Sequence, residues 1–237
     1  MPENNLYVLI HSPLVGPLTW SLVAREMLQR GLDVLVPILE DSPASKTPYW
    51  KQHAESIAQA ITGISNDSCV TLVAHSGAGP ILPVIRQSIP NPVNAYVYVD
   101  AGLPQDGATR LDLMKLEDAN WAQKFQTYLE NGGRFPDWNY DDLREILPDE
   151  NLCHQMVAEL RPRGLDFFTE PIPVFSDWPD APCIYILFSP PYEQAEVQAQ
   201  NMGWLTETLE AGHFHMLVDP GTVTDKIIHA VNTIPKR

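Results

Sequence analysis

Short apolar runs alternate with amphipathic segments along most of the chain. The runs carry few charges, which is typical of strands that are buried on both faces of a sheet. They predict six strands, at residues 6–11, 32–36, 69–75, 95–100, 183–188 and 204–209. Apolar residues at helical spacing predict helices between and after these strands, at residues 20–30, 49–64, 81–89, 193–201 and 220–234. This alternation predicts an α/β fold with a doubly wound, mostly parallel six-stranded sheet.

The alternation stops between residue 101 and about residue 182. This segment is acidic and rich in tryptophan, and it is too long for a connection inside a compact sheet. Helical patterns occur within it near residues 110–129, 141–147 and 151–160. We therefore predict a single domain over residues 1–237, with a helical insertion at about residues 103–180.

Composition and charge narrow the class of protein. Hydrophobic residues make up 44% of the chain and charged residues 19%, as expected of a folded protein rather than a disordered one. The net charge of −15 argues against nucleic acid and anionic membranes as partners, because phosphate groups are bound by clustered Lys and Arg. No apolar run approaches the roughly 20 residues that span a bilayer.

The cysteines and the first residues bear on the compartment. Cys69, Cys153 and Cys183 are an odd number, and two of them lie in predicted buried strands, which is typical of a reducing compartment. The chain starts Met-Pro-Glu-Asn-Asn, with no basic region, and leads directly into a strand, so no secretory signal is predicted. We predict a cytoplasmic protein.

Residues 74–78, Ala-His-Ser-Gly-Ala, lie between a predicted buried strand and a predicted helix. Small residues two positions before and after Ser76 allow a tight turn, since larger side chains there would collide with the neighbouring strand or helix. Such a turn strains the serine backbone and exposes its hydroxyl at the carboxyl end of the sheet. The Gly77 N–H then faces whatever the serine attacks. Ser76 is a candidate nucleophile, although turns of this composition also serve packing alone.

A histidine near the end of the chain is a candidate base. Residues 211–215 connect the last strand to the last helix, at the edge of the sheet where Ser76 is also expected. An imidazole with a pKa of about 6.5 suits proton transfer at neutral pH. We favour His213, because Gly212 lets the loop turn inward, and His215 is the alternative. His75 is expected to point away from the serine and to belong to the scaffold.

Three stretches together resemble the α/β-hydrolase superfamily. They are Leu-Ile-His-loop-Trp at residues 9–20, Ala-His-Ser-Gly-Ala-Gly at 74–79, and Gly-His-Phe-His-Met-Leu-Val-Asp-Pro at 212–220. The first spacing is similar to the small cap-bearing branch that holds plant hydroxynitrile lyases and related esterases. The resemblance covers nearly the whole chain and implies that the insertion is the lid or cap of this fold.

The resemblance implies Ser76 as nucleophile, His213 as base and an oxyanion hole that contains the Gly77 N–H. A second N–H usually comes from the loop after the first strand, at the position that Pro13 occupies here, and proline has no N–H. Either Leu14 supplies this donor after a shift of the loop, or the hole has a single donor. A missing donor costs roughly 3 kcal/mol of transition-state stabilisation.

The acid of the triad also departs from the usual pattern. It is usually an aspartate after the strand that ends here at Phe188, yet residues 189–193 contain none. Some dehalogenase-like members of the superfamily place the acid after the strand that follows the nucleophile helix, which corresponds to Asp100. We favour Asp100, and Glu193 is the alternative.

Together these residues predict a serine hydrolase that cleaves an ester or other activated acyl bond of a small apolar substrate through Ser76, His213 and Asp100. The expected partner is this small molecule, and the oligomeric state is left open. No metal or organic cofactor is expected, because Cys and His are scattered and no phosphate-binding glycine loop is present. The alternatives are a lyase or retro-aldol-type enzyme and a receptor-like binding protein with weak turnover. Pro13 bears on this choice, since a missing donor weakens acyl transfer more than binding.

Overall fold

A six-stranded sheet forms the centre of the protein, which is described here by a computed structural model over residues 5–234. The strands are β1 (Asn5–Ile10), β2 (Asp33–Leu35), β3 (Cys69–His75), β4 (Val93–Val99), β5 (Cys183–Leu187) and β6 (Leu205–Thr208). Their order across the sheet is β2-β1-β3-β4-β5-β6, and every neighbouring pair is parallel. The six predicted strands are confirmed.

Eleven α-helices connect and flank these strands within residues 5–234. Those before β5 are α1 (Leu18–Gln29), α2 (Tyr49–Ala60), α3 (Leu82–Ser88), α4 (Arg110–Glu117), α5 (Ala119–Glu130), α6 (Tyr140–Arg144), α7 (Glu150–Glu159) and α8 (Leu165–Phe168). Those after β5 are α9 (Glu193–Asn201), α10 (His215–Val218) and α11 (Pro220–Thr233). None of them, over the described residues, is long and apolar enough to cross a membrane.

Both faces of the sheet are covered by helices. In β4, Val97 and Val99 enter one apolar cluster with α1 and α11, whereas Tyr96 and Tyr98 enter a second cluster with α2, α3 and α9. Alternate side chains of a strand point to opposite faces, so a strand buried on both faces is apolar throughout. This explains the uniform hydrophobic runs and confirms the predicted doubly wound α/β class.

The region between β4 and β5 is helical, and it differs in detail from the sequence prediction. The single helix expected at residues 110–129 is divided into α4 and α5. The division occurs at Asp118, whose carboxylate accepts hydrogen bonds from the N–H groups of Asn120 and Trp121 and so begins a new helix. α8 and α10 were not predicted, because four residues are too few for a periodic pattern.

Buried polar contacts attach this helical region to the rest of the chain. Arg163 binds Asp41 through two hydrogen bonds, of 2.7 and 2.5 Å. Glu170 accepts hydrogen bonds from the N–H groups of Tyr49 and Trp50, 2.6 and 3.0 Å long, at the beginning of α2. Bidentate and charge-assisted contacts of this kind hold a defined geometry. The interpretation of residues 103–180 as a cap, like that of residues 1–237 as one domain, stays a prediction.

Candidate active site

Ser76 stands at the point where β3 ends. Its φ is +56°, in the left-handed region that residues other than glycine rarely adopt. A 3-10 turn, Ser76–Ile81, follows and leads into α3. A Cβ on Gly79 would lie 2.1 Å from the carbonyl oxygen of Gly102, so the turn requires glycine at that position. The strained serine turn expected from the sequence is therefore present.

Asp100 leaves the sheet beside Ser76. The register pairs His75 with Val99, so the residues that follow them emerge at the same level of neighbouring strands. Asp100 also has a positive φ, +45°, and its side chain is fully buried. Two strained residues at the carboxyl ends of neighbouring strands are typical of a functional site.

The Asp100 carboxylate is held by the chain that follows β5. Its Oδ1 accepts hydrogen bonds from the N–H groups of Phe188 and Ser189, both 2.9 Å long. Its Oδ2 accepts a hydrogen bond of 2.5 Å from the Ser189 hydroxyl. The same Oδ2 lies 2.6 Å from Nδ1 of His213. Four donors thus fix the position of one buried carboxylate.

Two other rings contact the ring of His213. The His75 ring is tilted and lies 4.4 Å away between centroids, and the Tyr192 ring lies at 5.2 Å and only 8° from parallel. Nε2 of His75 is 3.0 Å from the carbonyl oxygen of His213. Burial holds the pKa of His75 well below its ordinary value, and His213 lowers it further, so His75 is neutral and donates through Nε2. His75 therefore supports the backbone of His213.

Neither alternative candidate is hydrogen-bonded to this group. His215 begins α10, and its ring lies 6.2 Å from that of Phe188. Glu193 is exposed at the first residue of α9 and lines the cavity that Ser76 and His213 also line. Over residues 5–234, Nδ1 of His213 has a hydrogen bond to Asp100, whereas neither His215 nor Glu193 has a hydrogen bond to any of the three predicted triad residues.

The Ser76 hydroxyl is bound by a residue that the sequence did not single out. Its Oγ lies 3.0 Å from the hydroxyl of Tyr192, and the described part of the chain shows no hydrogen bond between Ser76 and His213. Tyr192 ends a short 3-10 turn, Pro190–Tyr192, directly before α9. Within residues 189–193 a carboxylate is the residue type that would indicate a triad from sequence, and a tyrosine there carries no such signal.

These side chains open into a cavity of about 740 Å³. Ser76, Tyr192 and His213 line its floor together with the loop after β1. Much of the remaining wall is aromatic and comes from the helical region, with Trp121, Phe135, Trp138, Phe167 and Phe168. A cavity of this size and apolar character fits a small organic molecule.

Comparisons with known proteins identify the architecture. One similar structure is an extracellular α/β-hydrolase from a Paenibacillus species, which is described as sharing structural and functional homology with tobacco salicylic acid binding protein 2. It superposes on this chain with a TM-score of 0.76 at 17% identity, and the match covers 95% of this chain and 98% of that one. The chain has the α/β-hydrolase fold. The predicted resemblance to that superfamily is thereby confirmed at the level of fold.

Two further solved structures have a similar fold. Tomato methylketone synthase I complexed with 2-tridecanone has a TM-score of 0.73 at 15% identity, covering 98% of this chain and 99% of that one. A pyrethroid hydrolase from Sphingobium faniae has a TM-score of 0.69 at 16% identity, covering 97% and 98%. No family model matches the chain.

A curated sequence relative covers less of the chain. Methylesterase 8 of Arabidopsis thaliana is 25% identical over 103 residues, which are 41% of this chain and 38% of that protein. The match therefore spans well under half of either protein.

The loop after β1 approaches the serine turn of this α/β-hydrolase fold. A Cβ on Gly77 would lie 3.1 Å from Oγ of Ser12, so only a glycine leaves ordinary space there. The Val15 N–H donates to the Ser12 carbonyl at 3.1 Å, which closes a turn around Pro13. The Leu14 N–H contacts the Ser12 hydroxyl at 3.4 Å, near the outer limit of a hydrogen bond. The N–H of Leu14, which lines the cavity, thus makes only a weak hydrogen bond.

Charged residues also line the cavity, and burial shifts the pKa of two of them, Glu117 and Arg110. Burial raises the pKa of Glu117 to about 7, against hydrogen bonds from the Gln194 and Ala195 N–H groups that lower it. Burial lowers the pKa of Arg110 to about 10, so its guanidinium stays charged at neutral pH. That guanidinium lies 3.8 Å from the centre of the Phe167 ring and 3.7 Å from a carboxylate oxygen of Glu170. No cluster of three or more His, Cys, Asp or Glu among residues 5–234 is arranged to hold a metal ion.

Proposed function

We propose that this protein is a serine hydrolase that cleaves an ester or other activated acyl bond of a small apolar substrate. The observation that carries the proposal is the meeting of Ser76, in a strained turn, with a His213–Asp100 pair only 2.6 Å apart in one cavity. The names of relatives, which include a methylesterase and a pyrethroid hydrolase, support ester hydrolysis in general.

In the first half of the proposed reaction, Ser76 attacks the substrate carbonyl. Asp100 accepts the Nδ1–H of His213, and this leaves Nε2 free to take the serine proton. The Ser76 hydroxyl turns from Tyr192 to that nitrogen as the attack begins. The Gly77 N–H binds the developing oxyanion, and Leu14 is the candidate for the second donor.

To complete acylation, the tetrahedral intermediate collapses and His213 gives the proton to the departing alkoxide. Water, activated by the same imidazole, then hydrolyses the acyl-serine. The carboxylate of Asp100 stabilises the imidazolium that forms twice in the cycle. The aromatic wall from residues 103–180 acts as a cap that excludes bulk water and selects apolar acyl or alcohol groups.

One observation favours a second candidate, a lyase or retro-aldol-type reaction. Pro13 has no N–H, and the neighbouring Leu14 N–H faces the Ser12 hydroxyl rather than open space. An incomplete oxyanion hole penalises acyl transfer. Proton transfers by serine and histidine alone would tolerate that loss better.

A covalent intermediate distinguishes these candidates. We expect short p-nitrophenyl esters to leave an acyl group on the peptide that contains Ser76 when the reaction is quenched within its first turnover and examined by mass spectrometry. A fluorophosphonate probe should label the same residue. Turnover without any adduct would favour the lyase mechanism, whereas binding with neither turnover nor adduct would indicate a receptor-like protein.

The acid is tested by a matched pair of substitutions. Asp100→Asn should lower kcat by about 10⁴-fold, because an amide that donates to Nδ1 selects the wrong imidazole tautomer. Glu193→Gln removes the alternative carboxylate and should leave kcat within about twofold of the wild type, as expected of an exposed group with no described hydrogen bond to Ser76, His213 or Asp100. Steady-state hydrolysis of p-nitrophenyl butyrate measures both. The reverse ranking would transfer the role to Glu193.

We further infer that the protein functions in the cytoplasm. Cys69, Cys153 and Cys183 are all free thiols, and the last two are buried. Unpaired cysteines are typical of a reducing compartment.

A further inference from the structure

Tyr192 contacts both side chains that move protons in the proposed reaction. Its hydroxyl lies 3.0 Å from Oγ of Ser76. Its ring lies nearly parallel to that of His213, at 5.2 Å between centroids. A phenol at this place can therefore reach a substrate atom that becomes bonded to the serine oxygen. It can also reach a substrate atom that takes a proton from the imidazole.

The topology defines the side from which Tyr192 approaches Ser76. The loop that carries Ser12 and Leu14 follows β1, which is one neighbour of β3 in the sheet. Tyr192 and His213 follow β5 and β6, on the other side of β3. Tyr192 therefore lies opposite the expected oxyanion hole, on the side where His213 delivers a proton to the leaving group.

The phenol is a hydrogen-bond donor at neutral pH. Burial raises the pKa of Tyr192 well above its ordinary value, and the nearby carboxylates of Asp100 and Glu117 raise it further, whereas the contact with Ser76 lowers it. Tyr192 thus keeps its proton at neutral pH. It can bind an oxygen without being ionised.

Attack by Ser76 releases this donor. Either hydroxyl can donate in the resting contact between Ser76 and Tyr192. Once the serine hydrogen has gone to Nε2 of His213 and Oγ is bonded to the substrate carbon, Oγ no longer donates to Tyr192 and accepts only weakly from it, so the phenol O–H can donate to another oxygen. Two oxygens on one tetrahedral carbon lie close together, so a donor that reaches Oγ also reaches a second oxygen on the same carbon. The oxyanion lies toward Gly77, and the ester oxygen of the leaving group lies toward His213 and Tyr192.

We propose that the Tyr192 hydroxyl donates a hydrogen bond to the leaving-group oxygen during acyl transfer, which makes Tyr192 a catalytic residue. This inference rests on the proposed function. As the tetrahedral intermediate collapses, the oxyanion electron pair re-forms the C=O bond and the bond from carbon to the leaving oxygen breaks. The leaving oxygen keeps that bond's electron pair and takes its proton from Nε2 of His213. Tyr192 keeps its own proton and stabilises the negative charge that builds up on this oxygen.

Tyr192→Phe tests the proposal, because it removes the hydroxyl and keeps the ring that stacks on His213. The comparison uses two esters with one acyl group, methyl butyrate and p-nitrophenyl butyrate, and measures kcat/KM, which reports the steps up to acylation. Methoxide is a poor leaving group and nitrophenolate a good one. We expect a loss of about tenfold for the methyl ester, the usual effect of one hydrogen bond. We expect a change of less than about twofold for the nitrophenyl ester.

A series of substituted phenyl butyrates extends the test. The rate should depend more steeply on the pKa of the leaving phenol in Tyr192→Phe than in the wild type. Tyr128→Phe is the matched control, since the Tyr128 hydroxyl binds the carbonyl of Arg134 and the carboxylate of Asp137, away from the cavity. It should leave both esters unchanged.

Two results would overturn the proposal. An equal loss for both esters would mean that the hydroxyl acts on Ser76 before the leaving group departs, and no loss for either would mean that it has no part in the reaction. Failure of the proposed function is recognised separately, by hydrolysis of both esters in Ser76→Ala.

Discussion

Ser76→Ala is expected to reduce the hydrolysis of p-nitrophenyl esters by about 10⁶-fold, with binding of the substrate retained. Without Oγ no acyl-enzyme forms, and only binding and the oxyanion donor still favour attack by water. The Ser76 side chain is small and makes a single described hydrogen bond, to Tyr192. We therefore expect the variant to fold normally, as judged by circular dichroism and thermal unfolding.

A second serine near the same place makes this test specific. The Ser12 hydroxyl lies beside Gly77 and lines the same cavity. If Ser12 were the nucleophile, Ser12→Ala would abolish the acyl adduct and Ser76→Ala would retain it. Ser88→Ala, on the exposed side of α3, serves as a control that should change neither adduct nor rate. Unchanged turnover in Ser76→Ala would contradict the hydrolase proposal.

The serine turn could be predicted because its cause is local. The small residues around Ser76 and the apolar run before it are consecutive in sequence, and together they require a strand, a strained turn and a helix. The same holds for the strands, since burial on both faces leaves an uninterrupted apolar pattern. The structure places Ser76 where that pattern predicts, with a φ of +56°.

Tyr192 could not be predicted, because its contact with Ser76 depends on the path of a loop. The two residues are 116 positions apart and meet only after β5 has joined the sheet and the Pro190–Tyr192 turn has formed. Neither residue type nor spacing indicates which way a side chain leaves such a turn. The division of the predicted helix at Asp118 was missed for a related reason, since an apolar period does not reveal where a capping side chain competes with the helix.

The arrangement around Asp100 explains how an aspartate after β4 can reach a histidine after β6. The chain after β5 lies between them, and Ser189 presents both its N–H and its hydroxyl to the carboxylate. In the proposed triad the β5 loop therefore supplies hydrogen-bond donors to the carboxylate rather than the carboxylate itself. These hydrogen bonds offset the backbone strain at Asp100, which costs on the order of 1–3 kcal/mol for a residue with such a φ.

His213→Ala should lower kcat for p-nitrophenyl butyrate by about 10⁶-fold, close to the effect of removing the nucleophile, because serine and base act as one unit. The ring of His213 is held in place, since Asp100 binds its Nδ1 and the rings of His75 and Tyr192 contact it. His215 has neither, and its ring faces Phe188 instead. His215→Ala should therefore cost less than about tenfold, through a small shift of the loop.

The choice of variant separates loss of the base from loss of structure. His213→Gln keeps a polar side chain of similar length and should be as inactive as His213→Ala, because an amide cannot accept the serine proton at neutral pH. Both variants should lose the burst of p-nitrophenol that accompanies acylation, and fluorophosphonate labelling of Ser76 should slow in parallel, since the serine is then no longer activated. His215→Ala should keep the burst and the labelling. If His215→Ala proved the slower enzyme, the base would have to be reassigned to α10, and the hydrogen bond between His213 and Asp100 would then be structural.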